Sequence, residues 1–264
     1  MSEVKAQNRD AAELLNHYWN TGLKLDAIPA DIRPLTREDG YKIADSLAAQ
    51  RGERVVGWKI AATSKAGQAH INVDGPLAGR LYESRILPPG STVSLGTNMM
   101  KVAEVEFAFR FGYDFPCNSR EYSLSEVMNS VASLHLSVEI PDSRFRDFSK
   151  VGAPSLIADT ACADWLVLGP AIQKEWRKID LATFAVKGIK NGVEVAIGTG
   201  SAALGDPRIA LTWLVNELCR YADGVKIGMV VTTGTCVVPV TIAAGDDFTA
   251  DYNELGQISI NIIE

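Results

Sequence analysis

Lys101-Val-Ala-Glu-Val-Glu-Phe-Ala-Phe109 places two carboxylates, Glu104 and Glu106, two residues apart inside an apolar run. In a strand, residues i and i+2 project to the same face. Both acids then point together, with Ala103, Val105, Phe107 and Phe109 turned the other way into a core. Two adjacent anions against a core are costly unless a positive partner neutralises them. A third acid, Glu139, has the same setting between Val138 and Ile140, in Ser137-Val-Glu-Ile-Pro-Asp-Ser-Arg144. Three carboxylates without a His or Cys cluster form a hard, oxygen-only donor set. Such a set favours Mg²⁺ or Mn²⁺ over Zn²⁺. The simpler alternative is that Glu104 and Glu106 line the wet face of an amphipathic strand.

Around that stretch the chain reads as α+β. Apolar spacing predicts a helix over 11–20, and Thr36 is placed to cap a second helix carrying Ile43, Ala44 and Leu47. Residues 54–60 read as a strand and 79–87 as mixed. Pro88-Pro-Gly90 is a breaker. It divides the expected organisation into a helical and mixed N-terminal lobe, 1–90, and a β-rich catalytic domain, 91–264. Beyond it, strands are expected at 102–109, through Glu139, and at 165–168. Ser123-Leu-Ser-Glu126 is a capping box whose helix is read through Val127, Val131 and Leu134. Asp206-Pro207 opens another helix, and four strands fill the tail: 230–233, 236–242, 247–251 and 257–263. Strands and helices do not alternate regularly, so a mixed sheet is expected rather than a doubly wound one.

Composition excludes several classes. The 264 residues are 47% hydrophobic, enough for a sizeable core, and the net charge of −6 is spread without a basic block. Neither nucleic-acid binding nor a membrane span is expected. The N-terminus has no signal-peptide core, and Cys117, Cys162, Cys219 and Cys236 are scattered, as in a cytoplasmic protein with reduced thiols. Gly198-Thr-Gly-Ser-Ala-Ala-Leu-Gly205 has the glycine density of a dinucleotide loop. No apolar strand pattern is read before it, and Asp206-Pro207 explains it as a helix entry.

Several motifs stand in a fixed order: Gly57-Trp-Lys-Ile-Ala-Ala-Thr63, Val73-Asp-Gly-Pro-Leu-Ala-Gly-Arg-Leu81, Glu104-Val-Glu-Phe-Ala-Phe109 and Glu139-Ile-Pro-Asp-Ser-Arg-Phe145. Ile157-Ala-Asp-Thr160, Gly200-Ser-Ala-Ala-Leu-Gly-Asp-Pro207 and Thr232-Thr-Gly-Thr-Cys236 follow. Together they resemble the fumarylacetoacetate hydrolase superfamily over nearly the whole chain, within it most closely the 2-keto-4-pentenoate hydratase and 4-oxalocrotonate decarboxylase branch. That resemblance implies a mixed β-roll with a helical N-terminal part, a homo-oligomer, and a Mg²⁺ or Mn²⁺ site held by Glu104, Glu106 and Glu139. It also implies that Lys59 faces a small 2-oxo or 2-hydroxy acid substrate. The activity implied is hydration of a 2-hydroxy-2,4-dienoate, with carbon–carbon hydrolysis, decarboxylation and a non-catalytic partner subunit as alternatives.

Hydratases of this branch tend to carry an acid where this chain has Leu77, which cannot move protons. His70 is the first substitute, since imidazole titrates near neutral pH, and a His70–Glu83 pair would imitate the superfamily's hydrolases. Asp74 lies in the same segment. Arg144 is expected either to bind substrate or to orient Glu139. Asp159 is expected to meet Lys59 or a metal-held water. Thr233 and Thr235, read as flanking a turn at Gly234, are expected to hold a carboxylate. His135, between Leu134 and Leu136, is read as packed.

Overall fold

A computed structural model describes residues 3–117 and 120–264. Its helices, in chain order, are α1 (Glu3–Thr21), α2 (Arg37–Arg51), α3 (Lys65–His70), α4 (Leu124–Asn129), α5 (Gly152–Ala158) and α6 (Pro207–Tyr221). The strands are β1 (Val55–Ala61), β2 (Leu77–Tyr82), β3 (Ile86–Leu87), β4 (Thr92–Ser94), β5 (Val102–Phe111), β6 (Val131–Ile140) and β7 (Trp165–Ala171), then β8 (Ala185–Lys190), β9 (Val193–Thr199), β10 (Val230–Thr235), β11 (Val240–Thr241), β12 (Asp247–Asp251) and β13 (Gln257–Ile263).

Local chemistry fixes several of these boundaries. Thr36 and Asp39 close a reciprocal capping box on α2, and Gly52 ends it at φ 63°. Asp206 caps α6, with Pro207 in the first turn. Ser123 and Glu126 cap α4 as expected, but the helix stops at Asn129. Val131 and Leu134 belong instead to β6, which pairs along both edges. Sheet pairing there overrides the helical spacing.

The strands form an eight-stranded mixed sheet and a five-stranded sheet, an α+β architecture as expected. The first runs β2-β1-β10-β5-β6-β7-β3, with β11 also on β5; the second runs β4-β13-β12-β8-β9. Pro88-Pro-Gly90 is where the chain passes from β3 in one sheet to β4 in the other. The large sheet crosses that point in sequence: β1 pairs β10 in parallel, so residues before 90 and after 91 share one hydrogen-bonded surface. Phe107 and Phe109 are fully buried with Phe111, Phe184 and Tyr252 around them. Each such side chain contributes about 2–3 kcal/mol by leaving water.

The hairpin β8–β9 has no counterpart in the sequence reading. Its outer strand exposes Val193, Val195 and Ile197 together with Glu194, so no polar-out alternation marks it. A strand therefore does precede the glycine-rich 198–205 segment. Gly198 and Gly200 serve close backbone approach there: a Cβ on them would lie 1.9 Å from the Cys236 carbonyl oxygen and 2.0 Å from that of Leu181.

Candidate metal and substrate site

Register brings the three acids together. Glu104 on β5 lies directly opposite Glu139 on β6, and Glu106 lies opposite Ser137. Directly opposed side chains are near neighbours and i, i+2 residues share a face, so Glu139 meets both of its partners. One oxygen from each of Glu104, Glu106 and Glu139 lies within 4.8 Å of the others. Glu106 and Glu139 are buried.

Their compensation is incomplete. The Gly234 N–H donates to Glu106 Oε2 at 2.8 Å. Glu106 Oε1 and both oxygens of Glu139 accept no hydrogen bond. Lys59 Nζ lies 3.0 Å from Glu139 Oε1, an ion pair without hydrogen-bond alignment, and donates to the Ala161 carbonyl at 3.1 Å. Burial, and then repulsion from Glu139 and Glu104, holds the Glu106 carboxyl well above the usual range. Burial also lifts Glu139, to about 7, with Glu104 adding to the rise and Lys59 opposing it. Burial alone would depress the Lys59 ammonium, but Glu139 and Glu104 keep it above its ordinary value. Three acids face one ammonium, and the orphaned oxygens fit a divalent cation.

Lys59 sits on β1 between Thr232 of β10 and Gly79 of β2. Its carbonyl partner belongs to an unusual segment: Thr160, Ala161 and Cys162 have φ of 51°, 51° and 62°. Left-handed backbone at three consecutive non-glycine residues is strained, and such strain concentrates at functional sites. Gly79 makes room for it, since a Cβ there would stand 1.8 Å from the Thr160 oxygen. The sequence reading reached Thr160 as the end of a motif but did not single out the Ala161 carbonyl or the strained backbone around it. A glycine inside a strand, a mark of close backbone approach, is the signal that could have found it.

Lys59 and Glu104 border a cavity of about 810 Å³. His70, Leu77, Thr235, Cys162 and Cys236 also line it. Thr235 lies within β10 rather than in a turn, and its hydroxyl donates to the Val237 carbonyl at 2.8 Å. Thr233 is buried and donates to the Phe107 carbonyl. Gly234, at φ 97°, is packed so closely that a Cβ would meet Thr63 Oγ1 at 2.2 Å. Burial pushes the Cys162 thiol up to about 12, so it carries no thiolate chemistry.

Other expected site residues stand elsewhere. Glu83 is largely exposed and paired with Arg54 at 3.1 Å, outside the cavity and away from His70. His70 packs edge-on against Phe148, their rings 5.9 Å apart. Asp74 is an exposed partner of Arg37. Asp159 bonds Ser143 and Arg144, not Lys59. Arg144 turns toward Asp159, the Ala163 carbonyl and the Trp19 ring rather than the cavity. Asp142 pairs with Lys24 and accepts from the Met99 N–H at 3.0 Å, fixing one side of the cavity mouth. His135 is buried and hydrogen-bonded to Ser133 and the Gly169 carbonyl. No described helix is long and apolar enough to cross a membrane.

The family model for the fumarylacetoacetate (FAA) hydrolase C-terminal domain matches residues 64–263. The chain is 34% identical over 237 residues to the 2-hydroxyhexa-2,4-dienoate hydratase of Comamonas testosteroni, covering 87% of this chain and 88% of that one. It is 28% identical over 256 residues to the 4-oxalocrotonate decarboxylase of Pseudomonas sp. strain CF600, covering 95% and 96%. Among solved structures, the 4-oxalocrotonate decarboxylase from Pseudomonas putida G7 complexed with magnesium and adipate aligns with a TM-score of 0.88 at 26% identity. That alignment covers 100% of this chain and 99% of the other.

Proposed function

The chain belongs to the fumarylacetoacetate hydrolase family, and from that premise we propose that it is a metal-dependent hydratase adding water to a small 2-hydroxy-2,4-dienoate. The observation that carries this reading is the group of three carboxylates, short of positive charge, beside Lys59 at one cavity. Glu104, Glu106 and Glu139 would hold Mg²⁺ or Mn²⁺, which when bound supplies Lewis acidity toward the carboxylate and C2 oxygen of a 2-oxo acid.

The remaining roles fall to side chains of the chain itself. Lys59, fixed between Glu139 and the Ala161 carbonyl, sets positive charge where the C2 oxygen gathers negative charge as the dienol becomes a 2-oxo acid. Loss of the enol proton and protonation at C5 give the conjugated 2-oxo-3-enoate, whose C4 is electrophilic and takes up water. Proton transfer during water addition falls to His70, the cavity's imidazole, because Leu77 has no proton to give. The same reading includes a homo-oligomer in the cytoplasm.

A second reading is supported by the end-to-end likeness to the decarboxylase structure: loss of CO₂ from a 2-oxo acid at the same site. One experiment separates the two. Purified protein with Mg²⁺ is given 2-hydroxypenta-2,4-dienoate and, separately, 4-oxalocrotonate, with and without chelator. The hydratase reading expects chelator-sensitive conversion of the dienoate to a 4-hydroxy-2-oxo acid without gas. CO₂ release from oxalocrotonate with no dienoate hydration would replace it by the second reading.

A further inference from the structure

The cavity has two chemically different ends. At one end stand Lys59 and the carboxylates. Toward solvent the walls include Met99, Ile197 and Val238, whereas Lys59 is buried. Among the described lining residues Lys59 is the sole ammonium or guanidinium, and it is already engaged by Glu139. The mouth is apolar and open: Met99, Ile197 and Val238 are 53%, 64% and 80% exposed. Large apolar side chains clustered in water mark a binding surface. Methionine side chains adapt to varied apolar shapes. The cavity, at about 810 Å³, is far larger than a five-carbon acid needs.

We propose that this site selects 2-oxo and 2-hydroxydienoic acids with an uncharged, extended apolar tail, and discriminates against those ending in a second carboxylate. The selection rests on the 2-oxo acid reading above. The charged head goes to the Lys59 end, and the tail lies along Met99, Ile197 and Val238. A distal carboxylate placed there would lose hydration without gaining an ammonium or guanidinium partner. His70 and the hydroxyls of Ser64, Thr199 and Ser201 offer hydrogen bonds but no compensating positive side chain of Lys or Arg type. Discrimination therefore comes from the walls toward solvent.

Saturated 2-oxo acids test this without turnover, so the result does not depend on which reaction follows binding. Isothermal titration calorimetry of the full chain with Mg²⁺ would compare 2-oxopentanoate, 2-oxohexanoate, 2-oxooctanoate and 2-oxoheptanedioate. Affinity is expected to rise up to about fourfold for each methylene buried. The diacid is expected to bind at least about tenfold more weakly than 2-oxooctanoate. Ile197→Lys, an exposed substitution at the mouth, should narrow that gap by supplying the missing cation. Affinity that stays flat or falls with length, a diacid that binds as tightly as the monoacid, or a gap unmoved by Ile197→Lys would overturn the tail assignment while leaving the 2-oxo acid reading in place. Absence of Mg²⁺-dependent binding by every acid would overturn both.

Discussion

Two clusters of buried charge lie close together in this molecule, and they are built on opposite terms. Around Arg144 everything is matched. Asp159 accepts from the Ser143 hydroxyl at 2.7 Å and the Arg144 N–H at 3.0 Å. The guanidinium donates to Asp159 and to the Asp159 and Ala163 carbonyls, and lies 3.9 Å over the Trp19 ring. Around Glu106 the account stays open. Three carboxylates face one ammonium, and among the described residues Glu106 Oε1 and Glu139 Oε2 accept no hydrogen bond, while Glu139 Oε1 has only the Lys59 ion pair. A buried charge satisfied from within is architecture; one left unsatisfied needs a ligand from outside.

The largest expected effect tests the open cluster. Glu106→Gln should abolish Mg²⁺-dependent turnover and the rise in unfolding temperature that Mg²⁺ gives the parent. Without metal the variant should be at least as stable as the parent, because glutamine keeps the shape of a side chain whose ionisation burial and its neighbours already oppose. Calorimetric melting with and without Mg²⁺ reads both effects. A metal-free variant clearly less stable than its parent would mean that the acids are satisfied as they stand.

The closed cluster predicts the opposite sign. Asp159→Ala strands the buried Arg144 charge and should cost about 3–5 kcal/mol in urea unfolding, with or without metal. A loss under about 1 kcal/mol would place Arg144 outside the structural frame. This contrast also marks how far the sequence could be read. Glu104 and Glu106 were legible as a pair because strand periodicity aims i and i+2 together; Glu139 stood out as a lone acid between Val138 and Ile140, and the family resemblance rather than spacing joined it to them. Lys59 was expected at the substrate from the family resemblance, and it lines the cavity; which way Arg144 turns was left open. Only tertiary pairing decides that Arg144 turns to Asp159. The hairpin β8–β9 escaped because no polar-out alternation marks its outer strand.

A smaller effect sharpens the comparison through pH. Asp164, beside the Arg144 cluster, pairs with Arg85 at 3.1 Å. Burial nevertheless raises its carboxyl to about 6, against the pull of Arg85 and then Arg144. The folded chain thus holds this proton more tightly than the unfolded one does. The stability it contributes is complete below the unfolded value near 3.8 and is lost as pH rises through about 6. Asp164→Asn should therefore flatten the fall in stability between those two values. Denaturant midpoints across that window measure it. An unchanged slope would assign the effect to other carboxyls.

The smallest expected effect separates two residues that sequence distance had paired. His70 and Glu83 are thirteen positions apart, and a His–Glu couple was an attractive expectation. Between them runs β2, which begins at the cavity with Leu77 and spans six residues. At about 3.3 Å per residue it carries the chain roughly 20 Å onward. Glu83 arrives at the far end, exposed and paired with Arg54. An exposed ion pair contributes about 0–1 kcal/mol. Glu83→Ala should leave stability and turnover within error of the parent, whereas His70→Ala should lower turnover. Equal losses in both variants would restore the couple; a loss at His70 alone confines proton transfer to the cavity.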